Sequence, residues 1–181
     1  MSTGMLGWTF RDAKVDLVFN IAEERLFGSV DGVKIDAHAV AGGRAGSKFA
    51  GAQNSFLRNN PMATHVKAPD HPYKGPLAIG KHGGPLPIGK YTLGLSPKPN
   101  HPGWVKLNPE NKAILRNRTD NFYIHPTGGP AGSEGCIGLN DRHVISTLLR
   151  LVKQRIDHKK APPLLQVLAI GSDLDAKNRS A

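Results

Sequence analysis

Phe122-Tyr123-Ile124-His125-Pro126-Thr127-Gly128-Gly129-Pro130-Ala131-Gly132-Ser133-Glu134-Gly135-Cys136-Ile137-Gly138-Leu139 is the stretch from which the rest of the chain is read. Its start alternates, with Phe122 and Ile124 on one face and Tyr123 and His125 on the other, the period of a half-buried strand. Glycines and prolines then punctuate the chain up to its only cysteine, Cys136, and the short step Ile137-Gly138-Leu139 follows. A lone cysteine is most often a small buried hydrophobe. A core cysteine has no need of glycines on its approach, whereas a nucleophile needs a tight turn and close access for substrate. Ten residues separate His125 from Cys136. A histidine ending one strand and a cysteine opening the next can lie side by side across a hairpin-like excursion. The imidazole can then take the thiol proton, and the N–H groups of Gly135 and Cys136 can face a developing oxyanion. Alone, His125 reads as a hydrogen-bonded structural residue; beside Cys136 it reads as a base.

Working outward, Val15 to Ile21 is a short apolar run and Arg25 to Val30 a second strand. Asp31-Gly32 is a hairpin turn signal. Val33, Ile35, Ala37 and Ala39 then alternate with Lys34, Asp36 and His38. Tyr91, Leu93 and Leu95 alternate in the same way. Trp104 to Leu107 and Ala113 to Arg116 are further strand candidates. Asn140-Asp141 caps one helix, whose stripe is Val144, Ile145, Leu148, Leu149, Val152 and Ile156. Lys153, Arg155, Lys159 and Lys160 load its C-terminal end, which suits the macrodipole, and Pro162-Pro163 stops it. Leu164 to Ile170 reads as a buried strand. The expectation is a mostly β domain, β with one packed helix, over residues 1–172. A long irregular insertion occupies about residues 44–84, and a polar tail follows at 173–181.

The chain has 181 residues, with 21 glycines and 14 prolines, which disfavours a helical bundle. One cysteine excludes a disulfide framework and a cysteine-cluster zinc finger. The net charge of +10 favours polyanionic partners without choosing among nucleic acid, anionic lipid and acidic wall polymer. Nucleic acid is set aside: there is no RNP-like aromatic strand and no paired Cys/His finger, and aromatics are only 6% of residues. No apolar run is long enough to span a membrane, and Met1 to Asp16 lacks the apolar stretch of a secretory signal. His65, His71 and His82, with Asp70, lack metal-ligand spacing, so neither metal nor other cofactor is expected. Trp8, Tyr73 and Trp104 read by default as packing residues, with the lining of a glycan groove as the alternative.

At His125 and Ser133-Glu134-Gly135-Cys136-Ile137 the chain resembles the L,D-transpeptidase catalytic domain (YkuD-like) family, whose signature is a His, a variable loop, then Ser/Thr-His-Gly-Cys. Ala39-Val40-Ala41-Gly42-Gly43 is similar to a strand that the family ends on a small-residue turn. Gly84-Pro85-Leu86-Pro87-Ile88-Gly89-Lys90-Tyr91-Thr92 is similar to its TP-x-G-x-[FY] segment. The likeness covers about residues 15–140 and implies an L,D-transpeptidase-like β-sandwich or barrel. It departs from the family at Glu134, where a second His is usual, at Gly138, where an Arg often stands, and in the short loop from His to Cys. These departures look more like the toxins of this family delivered by type VI secretion.

That resemblance implies a cysteine L,D-carboxypeptidase or L,D-transpeptidase acting on peptidoglycan stem peptides, with Cys136 as acyl-forming nucleophile and His125 as its base. Gly135 and Ser133 would shape the loop and oxyanion site. Glu134, Arg116, Arg118 and Tyr123 are substrate-binding candidates, the arginines because guanidinium binds carboxylate in a bidentate manner. The expected partners are stem peptides, a cognate immunity protein and the type VI machinery. The protein would stay in the producer's cytoplasm until export and act in the periplasm of target bacteria. A housekeeping cell-wall enzyme and a non-catalytic basic binding module are the alternatives.

Overall fold

The computed structural model of the chain describes residues 14–42, 84–115, 121–127 and 135–169. Eight strands make a closed barrel: β1 (Leu17–Asn20), β2 (Arg25–Val30), β3 (Val33–Ala41), β4 (Gly89–Leu95), β5 (Val105–Pro109), β6 (Phe122–Pro126), β7 (Ile137–Leu139) and β8 (Leu164–Leu168). The order around the barrel is β1-β2-β3-β7-β6-β5-β4-β8. One helix, α1 (Arg142–Asp157), packs against β4, β5, β6 and β7. The expectation of a mostly β fold with one packed helix therefore holds. Most of the expected insertion, and the polar tail, lie outside the described residues.

Local chemistry explains the individual elements. Asp31 (φ 49°) and Gly32 (φ 83°) both take positive φ, which a two-residue turn between right-twisted strands requires. The hairpin they close pairs Val30 with Val33 and runs back to Arg25 and His38. Period-two alternation sends Leu17, Phe19, Leu26, Leu93, Leu107, Phe122 and Ile124 into one core cluster. The buried Tyr91 hydroxyl finds its partner inside, donating to the Pro87 carbonyl at 2.7 Å.

In α1, the Asp141 carboxylate accepts from the backbone N–H of His143 and of Val144, satisfying two otherwise orphaned donors. Ile145, Leu148, Leu151 and Val152 face the core, whereas Ile156, expected in the stripe, is 50% exposed on the last turn.

Two expectations are corrected. Lys112–Leu115 is a 3-10 helix rather than a strand. The Asn111 side chain accepts from the Ala113 N–H at 2.9 Å and its carbonyl from the Ile114 N–H, so an Asx turn wins over strand propensity. The segments bearing His125 and Cys136 are not hairpin-like: β6 and β7 run parallel, with Ile124 beside Ile137 and His125 beside Gly138.

Candidate active site

His125 is the fourth residue of β6 and half-buried. Its Nδ1 lies 2.8 Å from the Pro126 carbonyl oxygen. A carbonyl can only accept, so Nδ1 carries the hydrogen and Nε2 is left with its lone pair, the state a general base needs. The group that contacts the ring at Nδ1 is the backbone carbonyl of Pro126. Thr127 steadies that backbone, donating its N–H to Leu139 at 3.0 Å and its hydroxyl to the Asn140 side chain.

Cys136 immediately precedes β7 and is partly accessible, unlike a core cysteine. Its Sγ is 3.9 Å from the Asn121 carbonyl. Because Gly138 is the partner of His125, Cys136 sits two residues back along a neighbouring strand. At ordinary strand spacing and rise that is roughly 8 Å between Cα atoms, within reach of an imidazole and a thiol. Gly135, with φ 117°, makes the turn that delivers the cysteine, in a region side chains avoid. Gly138 has a different reason to be glycine: a Cβ there would stand 1.9 Å from the Thr127 Cγ2. The arginine usual in the family has no room at this position.

Tyr123, on the same face of β6 as His125, is only 2% exposed, so this face is covered too. The Lys98 and Lys106 ammonium groups lie 4.8 and 4.9 Å from its ring centre. Trp104 meets the same ring edge-on at 5.6 Å and stacks with His125, with ring centres 4.6 Å apart and planes 25° apart. His101 stacks with Trp104 in turn, at 3.8 Å and 10°. Beside Pro126, a groove of about 390 Å³ runs along the first turns of α1, lined by Gly103, Pro126, Arg142, Ile145, Ser146 and Leu149.

The structure thus brings His125, Cys136, Gly135 and Tyr123 into one neighbourhood. Ser133, Glu134, Arg116 and Arg118 lie outside the described residues, as do His65, His71, His82 and Asp70. Sequence reasoning misses Lys98, Lys106 and His101, and for Trp104 it offers packing or the lining of a glycan groove. Their one sequence signal was the cluster of cationic and aromatic residues just before a strand candidate. Among the described residues, no group of three His, Cys, Asp or Glu is placed to hold a metal ion. No described helix is long and apolar enough to cross a membrane.

The described residues thus form a closed barrel in which a half-buried histidine lies one strand away from a partly accessible cysteine. The comparison with known families is specific: the model of the L,D-transpeptidase catalytic domain (YkuD) matches residues 16–157, from the start of β1 to the end of α1. The chain belongs to that family and is an L,D-transpeptidase-like cell-wall enzyme whose substrate is peptidoglycan. No curated protein matches it, and no solved structure does.

Proposed function

We propose that Cys136 is the nucleophile and His125 the base of an enzyme that removes or exchanges the terminal D-amino acid of peptidoglycan stem peptides. The observation that carries this reading is the Nδ1 contact to the Pro126 carbonyl, which puts the ring hydrogen on Nδ1 and makes Nε2 the basic nitrogen, on a strand adjacent to the one that Cys136 immediately precedes. His125 takes the thiol proton, and Cys136 Sγ attacks the acyl carbon of the scissile amide. The Gly135 and Cys136 N–H groups face the oxyanion. The imidazolium gives its proton to the leaving D-amino acid, and a thioester remains. Water, deprotonated by His125, hydrolyses the thioester in the carboxypeptidase reaction; the amine of a second D-amino acid displaces the thiolate in exchange.

The two lysines over Tyr123 support an acidic substrate, because stem peptides carry carboxylates and ammonium groups bind them. Arg116, Arg118, Glu134 and Ser133 keep, in this proposal, the substrate and loop roles that the family resemblance implies. The Ser133-Glu134-Gly135-Cys136 signature and Gly138 support the finer reading of an antibacterial effector exported by a type VI system and paired with an immunity protein. A housekeeping wall enzyme with the same chemistry is the alternative.

Digestion of purified muropeptides by wild type and Cys136→Ala, read by mass spectrometry, tests the chemistry. Loss of terminal D-Ala from tetrapeptide stems, abolished in the variant, is the expected result. Unchanged stems together with a thiol inert to alkylation would overturn it.

A further inference from the structure

We propose that Trp104 is a positioning residue for the reaction: its indole sets the plane of the His125 ring and favours the charged imidazolium during proton exchange with Cys136. The inference rests on the Cys136–His125 reading above. The hydrogen bond from Nδ1 to the Pro126 carbonyl anchors one edge of the ring. A stacked partner 4.6 Å away and 25° from parallel bears on the plane of the ring itself.

The barrel delivers that partner. β5 pairs with β6 antiparallel, with Val105 opposite Ile124, so one further step along the ladder sets Trp104 opposite His125. Trp104 is itself held. Its backbone N–H donates to the His101 carbonyl at 3.2 Å, and the His101 backbone N–H donates to the Lys98 carbonyl at 3.0 Å. His101 stacks with the indole and Tyr123 meets its edge. The turn from Lys98 to Trp104 is therefore tied to the site at several points.

Electrostatics gives the stack a second effect. When His125 takes the thiol proton it becomes a cation, and the negative face of an indole is the best side-chain surface for one. Among the described residues, the other charged or titratable groups around it are Lys98 and Lys106, over the neighbouring Tyr123 ring, His101, stacked with the same indole, and Cys136, just ahead of β7. The two ammonium groups repel an imidazolium, and the indole offsets that repulsion; the thiolate of Cys136 attracts it. Removing the indole destabilises the thiolate–imidazolium pair, so the thiolate forms only at higher pH.

The test is the pH profile of Cys136 alkylation by iodoacetamide in wild type, Trp104→Leu and Trp104→Phe, each confirmed as folded by circular dichroism. In wild type, thiolate reactivity should persist well below the free-thiol range near about 8.5. In Trp104→Leu the acid limb should move to higher pH, and the rate at neutral pH should fall roughly 2- to 30-fold. Trp104→Phe, with a weaker π face, should fall between the two. A folded Trp104→Leu with the wild-type profile would overturn the proposal and leave the ion pair intact. A wild-type thiol that titrates like free cysteine would overturn the pair itself, and the proposal with it. Should Trp104→Leu not fold, Trp104→Phe decides: a profile displaced in the same direction supports the role, and an unchanged one overturns it.

Discussion

Gly138 shows how little space a single residue has beside the site. Its missing side chain is filled by the Thr127 methyl, and Thr127 follows the carbonyl that orients His125. Gly138→Ala should push Thr127 and the Pro126 carbonyl aside, costing about 1–3 kcal/mol of stability, the usual range for overpacking. It should also lower kcat more than it raises KM. Thr127→Ser removes the clashing methyl but keeps the hydroxyl that bonds Asn140, so the double variant should recover most of both losses. Denaturant melts and steady-state kinetics on the four proteins check this; a double variant no better than Gly138→Ala would contradict the steric account. At the same scale, Lys106→Met should raise KM for acidic stem peptides several-fold at low salt, with a smaller effect at high salt, because the contribution is coulombic. An effect on kcat alone would place Lys106 elsewhere in the reaction.

Among the elements, α1 is the clearest case of local encoding. The Asp141 cap, the apolar stripe and the break before Pro162-Pro163 are all consecutive in the chain, and the helix forms where they place it. Asp141→Ala should cost about 1 kcal/mol and lower the melting temperature without changing the fold, since two backbone donors lose their acceptor. An unchanged melting temperature would mean that water replaces the carboxylate at no cost. The strands were legible for a related reason: alternation at Val33 to Ala39 is itself the record of which face is buried, whereas on β6 Tyr123 is buried as well, with Trp104, Lys98 and Lys106 against its ring. Residues 113–116 misled because Ala-Ile-Leu is strand-compatible, while the deciding group, the Asn111 side chain, acts from two residues upstream. The site was half legible. Cys136 and His125 stood out from glycine spacing, but Lys98, His101 and Trp104 in the β4–β5 connection and Lys106 on β5 come beside it because β5 pairs with β6, and no short-range pattern encodes that.

For the whole molecule, one side chain ties together four distant segments. Arg155, near the end of α1, holds Asp16 ahead of β1 through two hydrogen bonds and Asp31 in the β2–β3 turn through two more. Asp16 in turn accepts from the Leu164 N–H at the start of β8. The Arg155 and Asp16 side chains are only 12% and 11% exposed. Arg155→Leu should therefore cost about 3 kcal/mol, because it leaves a nearly buried carboxylate unpaired. Arg155→Lys should recover only part of that, since an ammonium cannot serve both carboxylates with a planar fork. Urea midpoints of the two variants check the order.

The same clasp gives a pH dependence. The hydrogen bond from Arg155 holds the Asp31 carboxyl below its ordinary value of 3.8, against an opposing effect of burial. In that range the unfolded chain binds more protons than the folded one, so stability rises with pH. The contribution is in place above about 3.8 and is lost as pH falls through the lower folded value. Asp36 beside Arg25 adds to the same limb, from an exposed position. Asp31→Asn should flatten the decline of the urea midpoint between about pH 5 and pH 3; an equally steep decline would assign the acid limb to other carboxylates.

Sequence alone determined most of the periodic strands, the hairpin turn and helix α1, and it picked out Cys136 and His125 as the candidate pair. Each of these is written within a few consecutive residues as apolar spacing, turn chemistry or glycine placement. Only the tertiary structure decided that β6 and β7 run parallel, that β8 closes the barrel between β1 and β4, and that Trp104 lies on His125. Those outcomes depend on which arrangement buries most apolar surface while satisfying every strand edge, a sum over the whole chain that no local window contains.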